Sequence, residues 1–176
     1  MATRITEETF FAIPAEELAK KLLGKILCHK IGPDTYRWRI VETEAYSDDE
    51  SFCRTSDDYK SVGKIILDGG NGMNITCKSK DTHDNVLIRG AITFFDSQPY
   101  KLMRAFNCLK KCSLKDDYIA DLYCEDSHIY IEKDACDIKE ENIKKSKRIN
   151  IQSDKEKNYT IKNPNYEILL SDLNRR

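Results

Sequence analysis

Long apolar runs are missing from this chain: none exceeds a few residues, so no segment reads as a membrane span. The opening residues Met1-Ala2-Thr3-Arg4-Ile5-Thr6-Glu7-Glu8 lack the apolar core of a signal peptide, and the expectation is an intracellular protein that stays off membranes. An excess of one charge is missing too. The 29 basic and 30 acidic residues leave a formal net charge of -1, which gives no global pull towards phosphate, so any polyanion binding must come from local patches. CxxC pairs are absent. The seven cysteines are odd in number and irregularly spaced, which fits reduced thiols better than a disulfide framework. Cys108 and Cys112, four apart on an expected helix with His128 downstream, sketch a zinc site, but structural zinc sites show tighter paired spacing, and the expectation is no metal and no cofactor. The three histidines, His29, His83 and His128, are scattered without a partner pattern and read as surface or core residues. No internal repeat or low-complexity tract occurs.

What is present is enough for a core. A chain of 176 residues buries about 70% of its unfolded surface. With 40% apolar residues, nine Tyr and six Phe it is no disordered tail, and 34% charged residues make its surface ionic. The whole chain, 1–176, is read as one domain. Two basic runs stand out, Lys110-Lys111 with Lys115, and Lys144-Lys145 with Lys147 and Arg148, followed by Lys155 and Lys157. Nearby Asp116, Asp117, Glu140 and Glu141 balance them, and they read as solvated faces.

The run from Ile13 to Gly24 predicts a short helix: Pro14 suits the first turn, Glu16 and Glu17 favour the positive end of the dipole, and Gly24 can close it. Leu18 and Leu22, with Ala19 and Leu23 beside them, form its inward stripe. Lys25 to Ile31 and Tyr36 to Tyr46 read as a hairpin turned by Gly32-Pro33-Asp34. Past a polar loop come strand candidates Val62 to Leu67, Met73 to Cys77 and Asn85 to Phe95, then a helix predicted from Gln98 to Lys111 on the spacing of Leu102, Ala105, Phe106 and Leu109. A short helix, Tyr118 to Tyr123, a strand, Ser127 to Ile131, a charged stretch, Asp134 to Lys147, and strands Tyr159 to Lys162 and Tyr166 to Leu170 complete the chain. The fold class that follows is α/β, with a curved, mostly antiparallel sheet and flanking helices.

Chemistry concentrates in Arg39-Ile40-Val41-Glu42-Thr43-Glu44-Ala45-Tyr46. In an extended strand Glu42, Glu44 and Tyr46 share one face while Val41, Thr43 and Ala45 share the other. A carboxylate then stands one step from a stacking platform. The plainer alternative is a solvated polar face on an antiparallel strand.

Together with Phe10-Phe11, Pro14-Ala15, Leu18-Ala19 and Leu22-Leu23-Gly24-Lys25 upstream, this run resembles the alkyladenine (3-methyladenine) DNA glycosylases. Met73-Asn74-Ile75, Val86-Leu87-Ile88-Arg89-Gly90-Ala91 and Lys101-Leu102-Met103-Arg104 continue the resemblance, and Lys147-Arg148-Ile149 and Asn163-Pro164-Asn165-Tyr166 look like the family's closing segments. The resemblance implies DNA repair: hydrolysis of the N-glycosidic bond of an alkylated purine that has been flipped out of the stack. Carried over by position, Glu44 is the base that activates water, Arg89 and the main-chain carbonyl of Ile149 help hold that water, Tyr46 stacks on the base, and Asn74 lines the pocket and excludes normal guanine through its exocyclic amine. Lys64 falls where a second stacking ring is expected, and Leu67 where a side chain wedges into the DNA. The partner implied is damaged DNA, with single-stranded DNA among the candidate forms, acted on by a monomer in the nucleus of a eukaryote or otherwise in the cytoplasm. The same residues permit another class of function, a catalytically silent nucleic-acid or protein-binding module that keeps the glycosylase fold.

Overall fold

A computed structural model describes residues 2–47, 57–68, 72–78, 82–93, 102–104, 119–135, 137–148, 151 and 155–161. Eleven strands form one curled sheet: β1 (Thr3–Arg4), β2 (Ile26–Ile31), β3 (Asp34–Tyr46), β4 (Lys64–Asp68), β5 (Gly72–Thr76), β6 (Asn85–Thr93), β7 (Leu102–Arg104), β8 (Ile119–Asp121), β9 (Ile129–Lys133), β10 (Ile143–Ser146) and β11 (Asn158–Ile161). The main path runs β1-β9-β2-β3-β6-β5-β4-β8, and every pairing is antiparallel. Among the described residues there is one α-helix, α1 (Ala15–Leu22), so the α/β class with flanking helices is corrected to a curled antiparallel sheet carrying a single helix. None of the described helices is long and apolar enough to cross a membrane.

The helix forms where its pattern predicts. Ala15, Leu18, Ala19 and Leu22 recur at the spacing of one helical face and all are buried, while Glu16 and Glu17 in the first turn and Lys20 and Lys21 in the last complement the dipole. Gly24, at φ +80°, takes the left-handed conformation that ends the segment. The stripe packs on the sheet face that carries Thr43, Ala45, Ile88 and Met73, and the Thr43 hydroxyl donates to the Ala19 carbonyl at 2.9 Å. Burying each leucine of that stripe contributes roughly 1.5–3 kcal/mol.

Strand β3 is long enough to serve two neighbours along one edge. Its first half pairs with β2 through the Gly32-Pro33 turn, where Gly32 sits at φ +58°, and its second half pairs with β11 from Glu42 to Glu44. Its other edge is β6 throughout, with a compensated double irregularity: Ile40 faces Ala91, Glu42 faces Gly90, and Thr43 faces Ile88. Val41 is therefore an extra residue on one strand and Arg89 an extra residue on the other, the kind of local bend that re-aims side chains.

Two predicted helices are corrected. Leu102 to Arg104, inside the helix expected from Gln98 to Lys111, pairs with Gly90 to Ile92 as β7, and Ile119 to Asp121, inside the helix expected from Tyr118 to Tyr123, pairs with β4 as β8. In both places the backbone completes an exposed sheet edge, which outweighs a weak helical pattern. The remainder of the first helix and the strand expected from Tyr166 to Leu170 lie outside the described residues. Strand β10, inside the charged stretch, is a further element that the composition hides: only Ile143 of its four residues is buried.

The base of the sheet is held by a buried ion pair. Arg39, 2% exposed, donates from Nη2 to Asp134 Oδ2 at 2.7 Å and from Nη1 to Asp134 Oδ1 at 3.3 Å and to the Gly24 carbonyl at 2.5 Å. Removing one partner of a buried pair leaves the other charge uncompensated. Asp134→Ala is expected to lower stability by about 3 kcal/mol in urea denaturation, and a loss below about 1 kcal/mol, the range of exposed pairs, would show that the pair is solvated.

Candidate functional site

Lateral pairing gathers the polar residues that are scattered in sequence. Glu44 on β3 faces Asn158 on β11 and Leu87 on β6; Leu87 faces Asn74 on β5, and Asn74 faces Ile66 on β4. Residues paired across an antiparallel sheet point to one side, so this row lies on the face opposite the core row Tyr159, Thr43, Ile88, Met73 and Leu67. Alternation along β3 adds Glu42 and Tyr46 to the same face.

Glu44 is fully buried, at 0% exposure, and its carboxylate is surrounded by donors from three strands. The Tyr46 hydroxyl donates to Oε2 at 2.9 Å, the Asn158 amide donates to Oε1 at 3.3 Å, and Arg89 Nη1 lies 3.5 Å from Oε1. Glu42 stands beside it, accepting from the Asn158 amide at 2.9 Å with Arg89 Nε at 3.7 Å. Arg89 reaches both carboxylates because it is the extra residue of the β6 irregularity, and Gly90, which faces Glu42, leaves that space without a side chain. A buried carboxylate costs several kcal/mol unless it is paired and hydrogen-bonded, and here it is both.

Tyr46 is tied down from two directions. Its hydroxyl is committed to Glu44, and the Arg148 guanidinium lies 4.8 Å from its ring centroid while donating to the Ala45 carbonyl at 2.8 Å. Burial, with the Glu44 charge second, pushes the Tyr46 phenol well above the ordinary tyrosine value of 10.0. The phenol is therefore a donor to Glu44 and a poor proton source for anything else.

Asn74 is 4% exposed, and its Nδ2 finds no hydrogen-bond partner. It stands two strands from Glu44, about 10 Å away. An orphaned buried amide donor costs about 1–3 kcal/mol, and it waits for an acceptor.

Of the residues singled out from sequence, Glu44, Tyr46, Arg89 and Asn74 come together on this face. Leu67 does not: it is 2% exposed in the core on the opposite face, so it is not on a surface from which a side chain could wedge into DNA. Ile149 lies outside the described residues, as do Cys108 and Cys112 of the imagined zinc site. Among the described residues no group of three His, Cys, Asp or Glu could hold a metal ion. Three participants were not legible as such. Glu42 reads as an exposed carboxylate, Arg148 reads as one more cation in a basic run, and Asn158 falls just before the strand predicted from Tyr159. The alternation of Asn158 and Thr160 against Tyr159 and Ile161 was the available signal.

A family model described as methylpurine-DNA glycosylase matches residues 9–165. A Chlorobium phaeobacteroides protein assigned as a 3-methyladenine DNA glycosylase is 32% identical over 155 residues, 70% of this chain and 79% of that protein. A Pseudomonas fluorescens protein with the same assignment is 33% identical over 98 residues, 51% of this chain and 42% of the relative. An Encephalitozoon cuniculi protein assigned as a DNA-3-methyladenine glycosylase is 56% identical over 34 residues, 19% of this chain and 16% of the relative. The chain spans only 42–45% of the length of the Pseudomonas relatives it matches.

The raised Tyr46 phenol makes a prediction with a definite sign. Unfolded tyrosines ionise near the ordinary value of 10.0 while Tyr46 in the folded chain stays protonated, so its contribution to stability is complete below that pH and is lost as pH rises. In an ultraviolet titration of the folded protein, Tyr46→Phe should leave the phenolate signal gained up to about pH 11 unchanged; a drop worth one tyrosine shows that the hydroxyl is open to water.

Proposed function

The chain belongs to the methylpurine-DNA glycosylase family, and from that premise we propose that it is a base excision repair enzyme that hydrolyses the N-glycosidic bond of alkylated purines in DNA. The observation that carries the reading is the Glu44 carboxylate, withdrawn from bulk water beside an aromatic ring and presented by donors on β3, β6 and β11. The relatives' assignments as 3-methyladenine DNA glycosylases point the same way.

Chemistry explains why one carboxylate suffices. A purine alkylated at a ring nitrogen carries positive charge in its nucleoside, so it departs as a neutral base without a strong acid, and Tyr46, committed to Glu44, is not needed as one. The sugar passes through a state with oxocarbenium character, which an adjacent anion stabilises, and Glu44 takes the proton of the attacking water. Arg89, in contact with both carboxylates, holds their geometry and supplies a donor towards that water. The base must leave the stack to arrive here, at a cost of a few kcal/mol. Tyr46 is the platform it meets, and Asn74 offers its unpaired amide donor to an acceptor on the ring edge; the same N–H group repels the exocyclic amine of guanine. The DNA partner, the flipping step and the nuclear or cytoplasmic setting belong to this proposal.

The test is release of 3-methyladenine from alkylated duplex and single-stranded DNA. Glu44→Gln keeps the volume and removes the base, and is expected to slow release by about 10²–10⁴-fold; undiminished release removes Glu44 from the reaction. Asn74→Ala is expected to raise release of undamaged guanine relative to 3-methyladenine, and an unchanged ratio takes specificity away from Asn74. Salt-sensitive DNA binding with no base release by the parent chain reassigns it as a silent binding module.

A further inference from the structure

Asn158 occupies an unusual position between the two carboxylates. Carboxylates only accept hydrogen bonds, so the end of the amide that faces Glu42 and Glu44 is the NH2 end, and it reaches Glu42 Oε1 at 2.9 Å and Glu44 Oε1 at 3.3 Å. The other end is fixed independently. Asn158 Oδ1 accepts from the Ser146 hydroxyl at 3.2 Å and from the Thr160 hydroxyl at 3.2 Å. The side chain is 2% exposed, and its partners come from β3, β10 and β11, so its orientation is set on every side.

We propose that Asn158 is a positioning residue that clamps Glu42 and Glu44 into one two-carboxylate unit and keeps Glu44 anionic and aimed, with Ser146 and Thr160 as the hydroxyls that hold the clamp. The inference rests on the glycosylase reading for its role in catalysis, while the clamp itself is testable without turnover. Two carboxylates this close repel each other and favour uptake of a proton, whereas hydrogen bonds donated to the charged form oppose it. The charged and titratable groups that face Glu44 among the described residues are Glu42 and Tyr46 on β3, Arg89 on β6, and Arg148 behind the Tyr46 ring. Arg89 sits at 3.5 Å and 3.7 Å from the two carboxylates, and the Asn158 amide holds the shorter contact with each. Losing it leaves repulsion less opposed.

The experiment follows the Glu42 and Glu44 carboxyl signals by carbon NMR across pH in the full chain, assigned with Glu42→Gln and Glu44→Gln, beside thermal melting and the pH profile of 3-methyladenine release. In Asn158→Ala the pH at which the pair takes up its first proton should rise by about one unit, and in Asn158→Asp, which adds a third carboxylate, by more. Thr160→Val, which frees one end of the amide, should move it in the same direction by less. The acid limb of base release moves up in step, whereas a purely structural role lowers the melting temperature and leaves that limb in place. Titration unchanged in both Asn158 variants overturns the proposal. If those variants do not fold, Thr160→Val decides, and an unchanged titration there overturns it equally. Shifted carboxyl titration with no base release from the parent chain sustains the clamp and sinks the glycosylase reading instead.

Discussion

A single buried carboxylate organises this molecule. An ion without water costs several kcal/mol in a protein interior, so Glu44 at 0% exposure is tolerable only where donors are already in place around it. They come from β3, β6 and β11, and each depends on the sheet's register: shift β11 by one residue and Asn158 leaves the face; straighten the β6 irregularity and Arg89 moves away. The site is therefore a product of pairing before it is a product of any one side chain.

The two faces of β3 divide the labour. Thr43 and Ala45 point into the core, where the Thr43 hydroxyl ties the strand to the end of α1's stripe, and Arg39 anchors its middle to Asp134 and Gly24. Core packing on one face holds the backbone still enough for Glu42, Glu44 and Tyr46 to be held in place on the other. A rigid strand presents a carboxylate more reproducibly than a loop can, and that rigidity is supplied from beneath.

The networks around the carboxylates are layered rather than parallel. Arg148 covers the ring of Tyr46, Tyr46 donates to Glu44, and Ser146 and Thr160 hold the amide that donates to both glutamates. Hydrogen bonds in such chains polarise one another, so the groups at the end of a chain matter to the carboxylate they never touch. Asn74 stands apart with an unpaired donor, the one polar group in the lateral row that the protein does not itself satisfy.

Strong periodicities were legible in the sequence and the long-range partners were not. The stripe Ala15, Leu18, Ala19 and Leu22 announced α1, the alternation through Glu42, Glu44 and Tyr46 announced β3 and its polar face, and the motif resemblance named Arg89 and Asn74 before any geometry was available. Those signals are local, because they come from the 3.6- and 2-residue repeats of the backbone. Leu102 to Arg104 and Ile119 to Asp121 read as helix and became strands, because an open sheet edge is a feature of the fold and not of the segment that fills it. Asn158, 114 residues from Glu44, could be joined to it only by the pairing of β11 with β3, and Leu67 was turned into the core by the register of β4 with β5. Side-chain period determines which residues share a face; only the closed set of strand pairings decides which of those faces meet.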